Sequence, residues 1–337
     1  MHAGRLEIQP VESAQERRAF IAFQWEVYKN DPYWVPPLLS ERMEFLDPER
    51  HPFHRHSEVA LFIARRDGKP VGTIAAILNN RHNEFHNERI GFFGFFEVLP
   101  DREAAEALLE TACTWARARN LTALRGPAQY STNEELGLLV DGWDGPPVIM
   151  MTYNPRYYVD FIEGAGFHKA MDLLAYMVDL TAFGPHGEHL PPKLLRVAQK
   201  VQERGGFTVR TMDMRHFERE VELFKRIYNS AWEKNWGFVP LTDAEIDHMA
   251  VGLRQLLDPD IVVFAEKDGE PVGAMLPLPD VSQALIKAYP RPDRPEWWTM
   301  LRLLWHWKVR RCVDTMRGFA GGVLEPYRGR GVEALLF

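Results

Sequence analysis

The chain reads DGKPVG from Asp67 to Gly72 and DGEPVG from Asp268 to Gly273, 201 residues further on. Each copy follows an apolar run, EVALFIARR (Glu58–Arg66) or DIVVFAEK (Asp260–Lys267), and leads into another, TIAAILN (Thr73–Asn79) or AMLPLP (Ala274–Pro279). An Asp-Gly pair between two such runs supplies the positive φ angles that a tight hairpin turn needs, so both are predicted hairpins. The match extends both ways. Upstream, WVPPLLSE (Trp34–Glu41) answers FVPLTDAE (Phe238–Glu245); downstream, VLPDREAAEALL (Val98–Leu109) answers VLEPYRGRGVEALL (Val323–Leu336). Three matches in one order indicate an internal duplication. The repeated unit runs helix, hairpin, strand, turn, helix. This predicts an α/β (α+β) chain of two tandem domains, each a mixed, mainly antiparallel sheet flanked by helices.

Composition sets limits on function. The 337 residues, 46% hydrophobic, suffice for two cores. A net charge of −7 leaves no global basic field, so nucleic acid is not an expected partner and any anion site must be local. No window of 18 apolar residues predicts a membrane span, and the opening MHAGRLEIQPVESAQERR lacks the apolar core of a signal peptide; a cytoplasmic location is expected. Cys113 and Cys312 lie in separate halves without metal-ligand spacing, which fits free thiols in a reducing compartment.

The first half continues past the shared unit. Glu103–Leu121 has helical periodicity and TALRGPA (Thr122–Ala128) is strand-like. PPVIMMTYNPRYYVDFIEGAGF (Pro146–Phe167) predicts a strand, then a helix capped by Asn154 with Pro155 in its first turn and Gly164 or Gly166 at its end. MDLLAYMVDL (Met171–Leu180) predicts one more strand. Phe183–Gly206, with a helix opened by Pro191 and Pro192 and closed by Gly205, reads as a linker. The expected divisions are therefore residues 1–182, a linker over 183–206, and 207–337. The second copy lacks counterparts of Thr122–Leu180, and the sequence is expected to be a fragment whose second domain stops just after its turn.

That turn separates the copies. Between Val98 and Leu109 the first carries Asp101, Arg102, Glu103 and Glu106, a net −2, and no glycine; between Val323 and Leu336 the second carries Glu325, Arg328, Arg330 and Glu333, a net zero, with Gly329 and Gly331. Main-chain amides at a helix start are unpaired and bear partial positive charge, and glycines let a ligand reach them. The second turn can therefore hold a pyrophosphate, and the first should repel one.

YRGRGVEALL after a strand resembles the acyl-CoA loop of the GNAT superfamily of N-acetyltransferases, R/Q-x-x-G-x-G/A, with Arg328 and Gly331 at its first and fourth positions and Glu333 where Gly or Ala is usual. NPRYYVDFIEGAGF (Asn154–Phe167) is similar to the Asn…Tyr-Tyr…Gly-Phe stretch late in such domains. The resemblance covers nearly all of the chain as two tandem copies of the bacterial type, the first degenerate. It implies acetyl-CoA or another acyl-CoA as co-substrate, with Val323 and Leu324 offering main-chain groups to the pantetheine arm, Arg328, Gly329, Arg330, Gly331 and Val332 wrapping the pyrophosphate, and no metal. It implies direct attack of an amine, from a small molecule or a peptide, on the thioester. Asn235, Trp236 and Asp280 fall where the family's acceptor pocket is bordered. The family's acid is often a tyrosine on a later helix, which would lie beyond Phe337, so no catalytic residue is assigned; Tyr157 and Tyr158 occupy the equivalent region of the first copy. Self-association is left open.

Other readings compete. GRGVEA (Gly329–Ala334) also satisfies the dinucleotide fingerprint G-x-G-x-x-A of an oxidoreductase, but it follows a hairpin rather than the first strand of a parallel βαβ unit. A non-catalytic acyl-CoA sensor or scaffold would use the same loop, and a plain structural turn would leave its arginines solvated. His51, His54 and His56, and the pair His82 and His86, read as surface residues of loops rather than zinc ligands, since no Cys or H-E-x-x-H accompanies them. Finally, YPRPDRPEWWTMLRLLWHWKVRRC (Tyr289–Cys312) lengthens the second copy. It predicts a helix after Pro295 with Trp298, Leu301, Trp305, Val309 and Cys312 on one stripe, expected to pack on a core, with a bilayer or partner surface as the alternative.

Overall fold

Both predicted hairpins form, with the same turn. Asp67 and Gly68 take φ of 49° and 78°, Asp268 and Gly269 of 54° and 82°, the left-handed pair that matches the twist of the strands they join. The computed structural model describes residues 4–336. In chain order its elements are β1 (Leu6–Pro10), α1 (Ala14–Ala22), α2 (Gln24–Val27), α3 (Leu39–Phe45), β2 (Ser57–Arg66), β3 (Lys69–Asn79), α4 (Asn80–His86), β4 (Ile90–Val98), α5 (Arg102–Ala118), β5 (Ala123–Arg125) and α6 (Tyr157–Gly164). There follow α7 (Pro192–Gly205), β6 (Phe207–Thr211), α8 (Phe217–Trp232), α9 (Asp243–Leu253), β7 (Val263–Lys267), β8 (Glu270–Pro279), α10 (Ser282–Ala288), α11 (Glu296–Leu304), β9 (Met316–Val323) and α12 (Glu333–Leu336). Two compact units result. Unit 1 comprises the residues up to Met171 together with Asp280–Asp314; unit 2 comprises Asp172–Pro279 and the residues from Thr315 on.

Unit 1 is built on a sheet in the order β1-β2-β3-β4-β5, antiparallel except where β5 runs parallel to β4. Strand β4, IGFFGFFEV, is apolar but for Glu97 because both its faces are covered. Phe92 and Phe95 join a cluster with Phe20, Phe45, Ile63, Ile77 and Tyr130. Phe93 and Phe96 join another with Ile74, Leu108, Leu109 and Tyr158. Helix α5 turns one stripe, Ala104, Ala105, Leu108, Leu109, Ala112 and Ala116, onto that second face, as residues three and four apart on a helix must. The ladder slips between Thr73 and Ala75, where Thr73 faces Glu97 and Ala75 faces Gly94, and Phe95 is left in the left-handed region at φ 48°. This bulge re-aims the end of β4.

Unit 2 carries an antiparallel sheet in the order β6-β7-β8-β9. Gly273 faces Val323 there as Gly72 faces Val98 in unit 1, and the Leu324 amide donates to the Val272 carbonyl at 2.8 Å as that of Leu99 donates to Val71 at 3.0 Å. The duplication thus holds at the level of individual hydrogen bonds. Helix α7, predicted inside the linker, closes at Gly206 in the left-handed conformation. It is part of a core, with Val197 and Val201 packed with Phe207, Val332 and Leu336.

The structure departs from other expectations. Asp280–Asp314, expected with the second half, packs in unit 1. Helix α6 begins at Tyr157 after Arg156; Asn154 does not cap it, because its side chain accepts from the Leu139 amide at 2.7 Å and donates to the Leu139 carbonyl at 3.2 Å. Neither 146–153 nor 171–180 forms a strand. The second is solvated, with Leu174 74% and Tyr176 85% exposed, since an apolar run makes a strand only where an edge is there to pair with it. His82 and His86 lie on α4 rather than in a loop, His82 buried and bonded to Glu88 at 2.9 Å. His51 is also buried. Among the described residues no group of His, Cys, Asp and Glu is arranged to hold a metal, and no helix is long and apolar enough to cross a membrane.

Candidate functional site

In unit 2 the strand end, the turn and α12 form the region singled out by sequence. After Val323 a short helical turn, Glu325–Tyr327, carries the chain into Arg328. Gly329 and Gly331 then take φ of 69° and 83°, a conformation that side chains with a Cβ adopt at a cost. At Gly331 space forbids a side chain as well, since a Cβ there would meet Val197 Cγ1 at 2.9 Å and Val201 Cγ2 at 3.0 Å. The turn is therefore pressed onto α7, with Val332 fully buried beside it. Among the described residues, the amides of Gly329, Arg330, Gly331 and Val332 donate to no carbonyl or side chain. Four successive N–H groups without a partner are the chemistry of an anion cradle.

The other members of the predicted set have internal work. The Arg328 guanidinium turns inward, donating through Nε to the Val323 carbonyl at 2.9 Å and through Nη2 to the Ser230 and Ala231 carbonyls at 3.0 and 3.4 Å. It thereby neutralises the negative end of α8. Val323 O is taken by that contact; Leu324 donates to Val272 and accepts from the Tyr327 amide at 2.9 Å. Arg330 is exposed, its guanidinium 5.6 Å from the Tyr327 ring centre. Glu333 opens α12.

The three acceptor-pocket candidates fall in different units. Asn235 and Trp236 belong to the turn that ends α8 in unit 2, the Asn235 amide donating to Trp232 at 2.8 Å and its carbonyl accepting from Phe238 at 3.1 Å; Trp236 is 38% exposed. Asp280 belongs to unit 1, where it is buried. Its Oδ1 accepts from the amides of Ile149 at 2.9 Å and Ser282 at 3.3 Å, and burial pushes its pKa up. It fastens the start of α10.

The matching strand end of unit 1 is filled from within. The Val98 amide donates to Tyr158 Oη at 2.7 Å, Tyr158 donates to Glu97 Oε2 at 2.8 Å, and Tyr157 donates to the Val98 carbonyl at 2.6 Å. Tyr28 stands beside Glu97, its hydroxyl donating to the Tyr153 carbonyl at 3.3 Å. Burial pushes the Glu97 carboxyl up to about 8, against the lowering pull of its two tyrosine partners. The start of α5 is covered too. Asp101 accepts from the Ala104 amide at 3.2 Å and pairs with Arg66 at 2.9 and 3.1 Å, while Arg66 also reaches Glu103 at 2.8 Å. Carboxylates of the chain itself thus sit where unit 2 leaves its amides open. Asp101→Ala should lower the stability of the protein by about 1–2 kcal/mol through the lost cap, read as a lower urea midpoint with an unchanged slope.

Sequence reasoning missed Glu97, whose only signal is one carboxylate in the apolar run FFGFFEV. It also missed a cleft of about 390 Å³ beside Tyr28 and Tyr157, walled by Tyr33, Trp143 and Tyr153. Two opposite charges stand at its rim, Asp31, which accepts from Tyr153 Oη at 2.9 and 3.0 Å, and Arg156, whose guanidinium lies 4.8 Å from the Trp143 ring centre.

Residues 21–134 match the model of the acetyltransferase (GNAT) family. Over 309 residues, 90% of this chain and 77% of the relative, the sequence is 37% identical to a bacterial ceramide synthase of Caulobacter vibrioides. The chain belongs to the GNAT acetyltransferase family. This GNAT protein is also 32% identical over 311 residues, 92% of its length and 77% of the relative's, to the Escherichia coli protein YghO. In fold it is similar to a tandem GNAT protein from the clavulanic acid biosynthesis pathway, with a TM-score of 0.50 at 14% identity over 98% of this chain and 83% of that one. A GNAT member is a transferase enzyme, with an acyl-CoA as co-substrate. The matched residues all lie in unit 1, where the strand end is sealed.

Proposed function

We propose that this GNAT protein is an N-acyltransferase whose second unit binds the acyl-CoA pyrophosphate on the turn from Arg328 to Val332, and whose first unit is a copy that has given up that role. The observation that carries the reading is the contrast between the four partnerless amides of Gly329–Val332 and the covered helix start at Asp101. Arg330 adds an exposed cation to the cradle, and Arg328 holds its shape. The reaction is direct. An amine nitrogen attacks the thioester carbonyl, the C–N bond forms, the C–S bond breaks, and the amine proton leaves while the coenzyme A thiolate is protonated. No metal is called for.

The name of the 37% identical relative supports an acceptor of a particular kind. A ceramide is an amide of a long-chain amino alcohol, so a lipid amine with a fatty acyl-CoA is the first pair to test, and acetyl transfer to a small amine or peptide the second. A sensor that binds acyl-CoA without turnover is the reading that Glu333, beside the cradle, favours.

Calorimetric titration with coenzyme A tests the site. Arg330→Glu should weaken binding about 10- to 100-fold, as expected when a charged hydrogen bond worth roughly 1.5–3 kcal/mol is lost. Absence of heat with the parent protein, or equal affinity in the variant, rejects it. Thiol release from acetyl- and palmitoyl-CoA across long-chain bases and small amines then separates the acceptor classes, and binding without release identifies a sensor.

A further inference from the structure

Helix α11 and the turn after it have two apolar faces, and only one of them is packed. Thr299 and Leu303 are buried; Leu303, with Met300 and Trp307, packs on Ala284, Leu285 and Ala288 of α10. The opposite face carries Trp297, Trp298, Leu301, Leu304, Trp305 and Val309, between 47% and 64% exposed. The stripe expected to meet a core is therefore outside, apart from Cys312. A helix apolar all round is normally buried, and a contiguous apolar patch on a surface marks something that covers it. This one is held out firmly. Within unit 1 the Trp25 indole donates to the Pro290 carbonyl at 2.8 Å, Arg18 to the Pro292 carbonyl at 2.7 Å, and the Ser40 amide to Glu296 Oε2 at 3.0 Å.

Charge identifies the cover. From Arg291 to Arg311 there are six cations, Arg291, Arg294, Arg302, Lys308, Arg310 and Arg311, and two carboxylates, Asp293 and Glu296, a net +4 in a chain of net −7. Lys308, Arg310 and Arg311 are exposed at the end of the apolar face. A second copy of the chain would set the same cations against each other in a two-fold contact. An anionic bilayer offers the complement: phosphates for the cations, a headgroup layer suited to indoles, and acyl chains for leucine and valine.

We propose that α11 and the residues to Arg311 form an interfacial anchor that lies in the surface of an anionic membrane, with Trp297, Trp298, Leu301, Leu304, Trp305 and Val309 entering the headgroup region. The anchor stands independently of the acyl-CoA site and is tested without it. The intact protein is sedimented with vesicles of phosphatidylcholine, with and without phosphatidylglycerol, at low and high salt, and its tryptophan emission is recorded. Binding to the anionic vesicles with a blue shift, weakened by salt, is expected. The variant Trp298→Ser/Leu301→Ser/Trp305→Ser, altered only at exposed positions, should lose at least about tenfold in vesicle affinity, and Arg310→Glu/Arg311→Glu should lose most binding at low salt. Parent protein that stays in solution with both vesicle types overturns the proposal, as does binding that neither variant changes. A parent dimer that the serine variant converts to monomer, without vesicle binding, also overturns it, in favour of a protein interface.

Discussion

Glu97→Gln should raise the stability of the protein by about 3–5 kcal/mol above pH 8 and leave it nearly unchanged below pH 4.5. The folded chain holds the Glu97 proton up to about 8, because the buried carboxylate has lost its water, whereas an exposed carboxyl releases it near 4.5. Between those values the folded state binds a proton that the unfolded state has given up. Stability therefore falls as pH rises through that window, by about 1.4 kcal/mol per unit at most, and levels off above it. Glutamine cannot ionise, so the slope due to this site vanishes. The hydrogen bonds survive, since Tyr158 donates to one oxygen and a neutral side chain suffices to receive it. Urea unfolding of both proteins across pH gives the difference directly, and the other titrating groups cancel in it. Parallel curves for the two proteins would falsify the neutral, buried carboxyl.

Gly94→Ala is expected to cost at least about 3 kcal/mol, enough to prevent folding in a marginal background. A Cβ at Gly94 would lie 1.8 Å from the Ala128 carbonyl oxygen and 2.7 Å from its carbon. The segment cannot withdraw easily. The Ala128 amide donates to the Phe93 carbonyl at 2.8 Å, that of Gly137 donates to Pro127 at 2.9 Å, and Ala128 bridges to Leu136. Gly145→Ala is the control, since nothing lies within 4 Å of a Cβ there; it should stay within about 0.5 kcal/mol of the parent. Matching melting temperatures for the two variants would mean that the segment does not rest on β4.

The parts of this fold that were legible in the sequence are those whose causes are local. Asp67-Gly68 and Asp268-Gly269 specify their turns through φ alone, and the two prolines and the final glycine of α7 mark its ends. The duplication was legible because the same turn residues recur in the same order. What stayed hidden depends on distant partners. The apolar run Leu173–Val178 says that a strand would be buried, and says nothing of whether an edge is present. The periodicity of Glu296–Leu304 separates two faces, but with both apolar it could not say which one turns inward. At the candidate site, Gly329 and Gly331 announced a turn in the left-handed region, whereas Arg328, read as a phosphate ligand, is held by Val323 and Ser230 carbonyls that only the fold brings near it. Glu97 had no partner in sequence at all; Tyr28 and Tyr158 reach it from 69 and 61 residues away.

Because Asp280–Asp314 completes unit 1, the first half of this protein cannot finish folding as it leaves the ribosome. Its Trp25 indole and Ile149 amide wait for Pro290 and Asp280, which are synthesised roughly 5–24 s after Met171 at ordinary elongation rates of about 5–20 residues per second. Strands β6, β7 and β8 emerge in that interval, so the two halves mature together rather than one after the other. A gene cut after residue 182 would yield a first half with a missing wall.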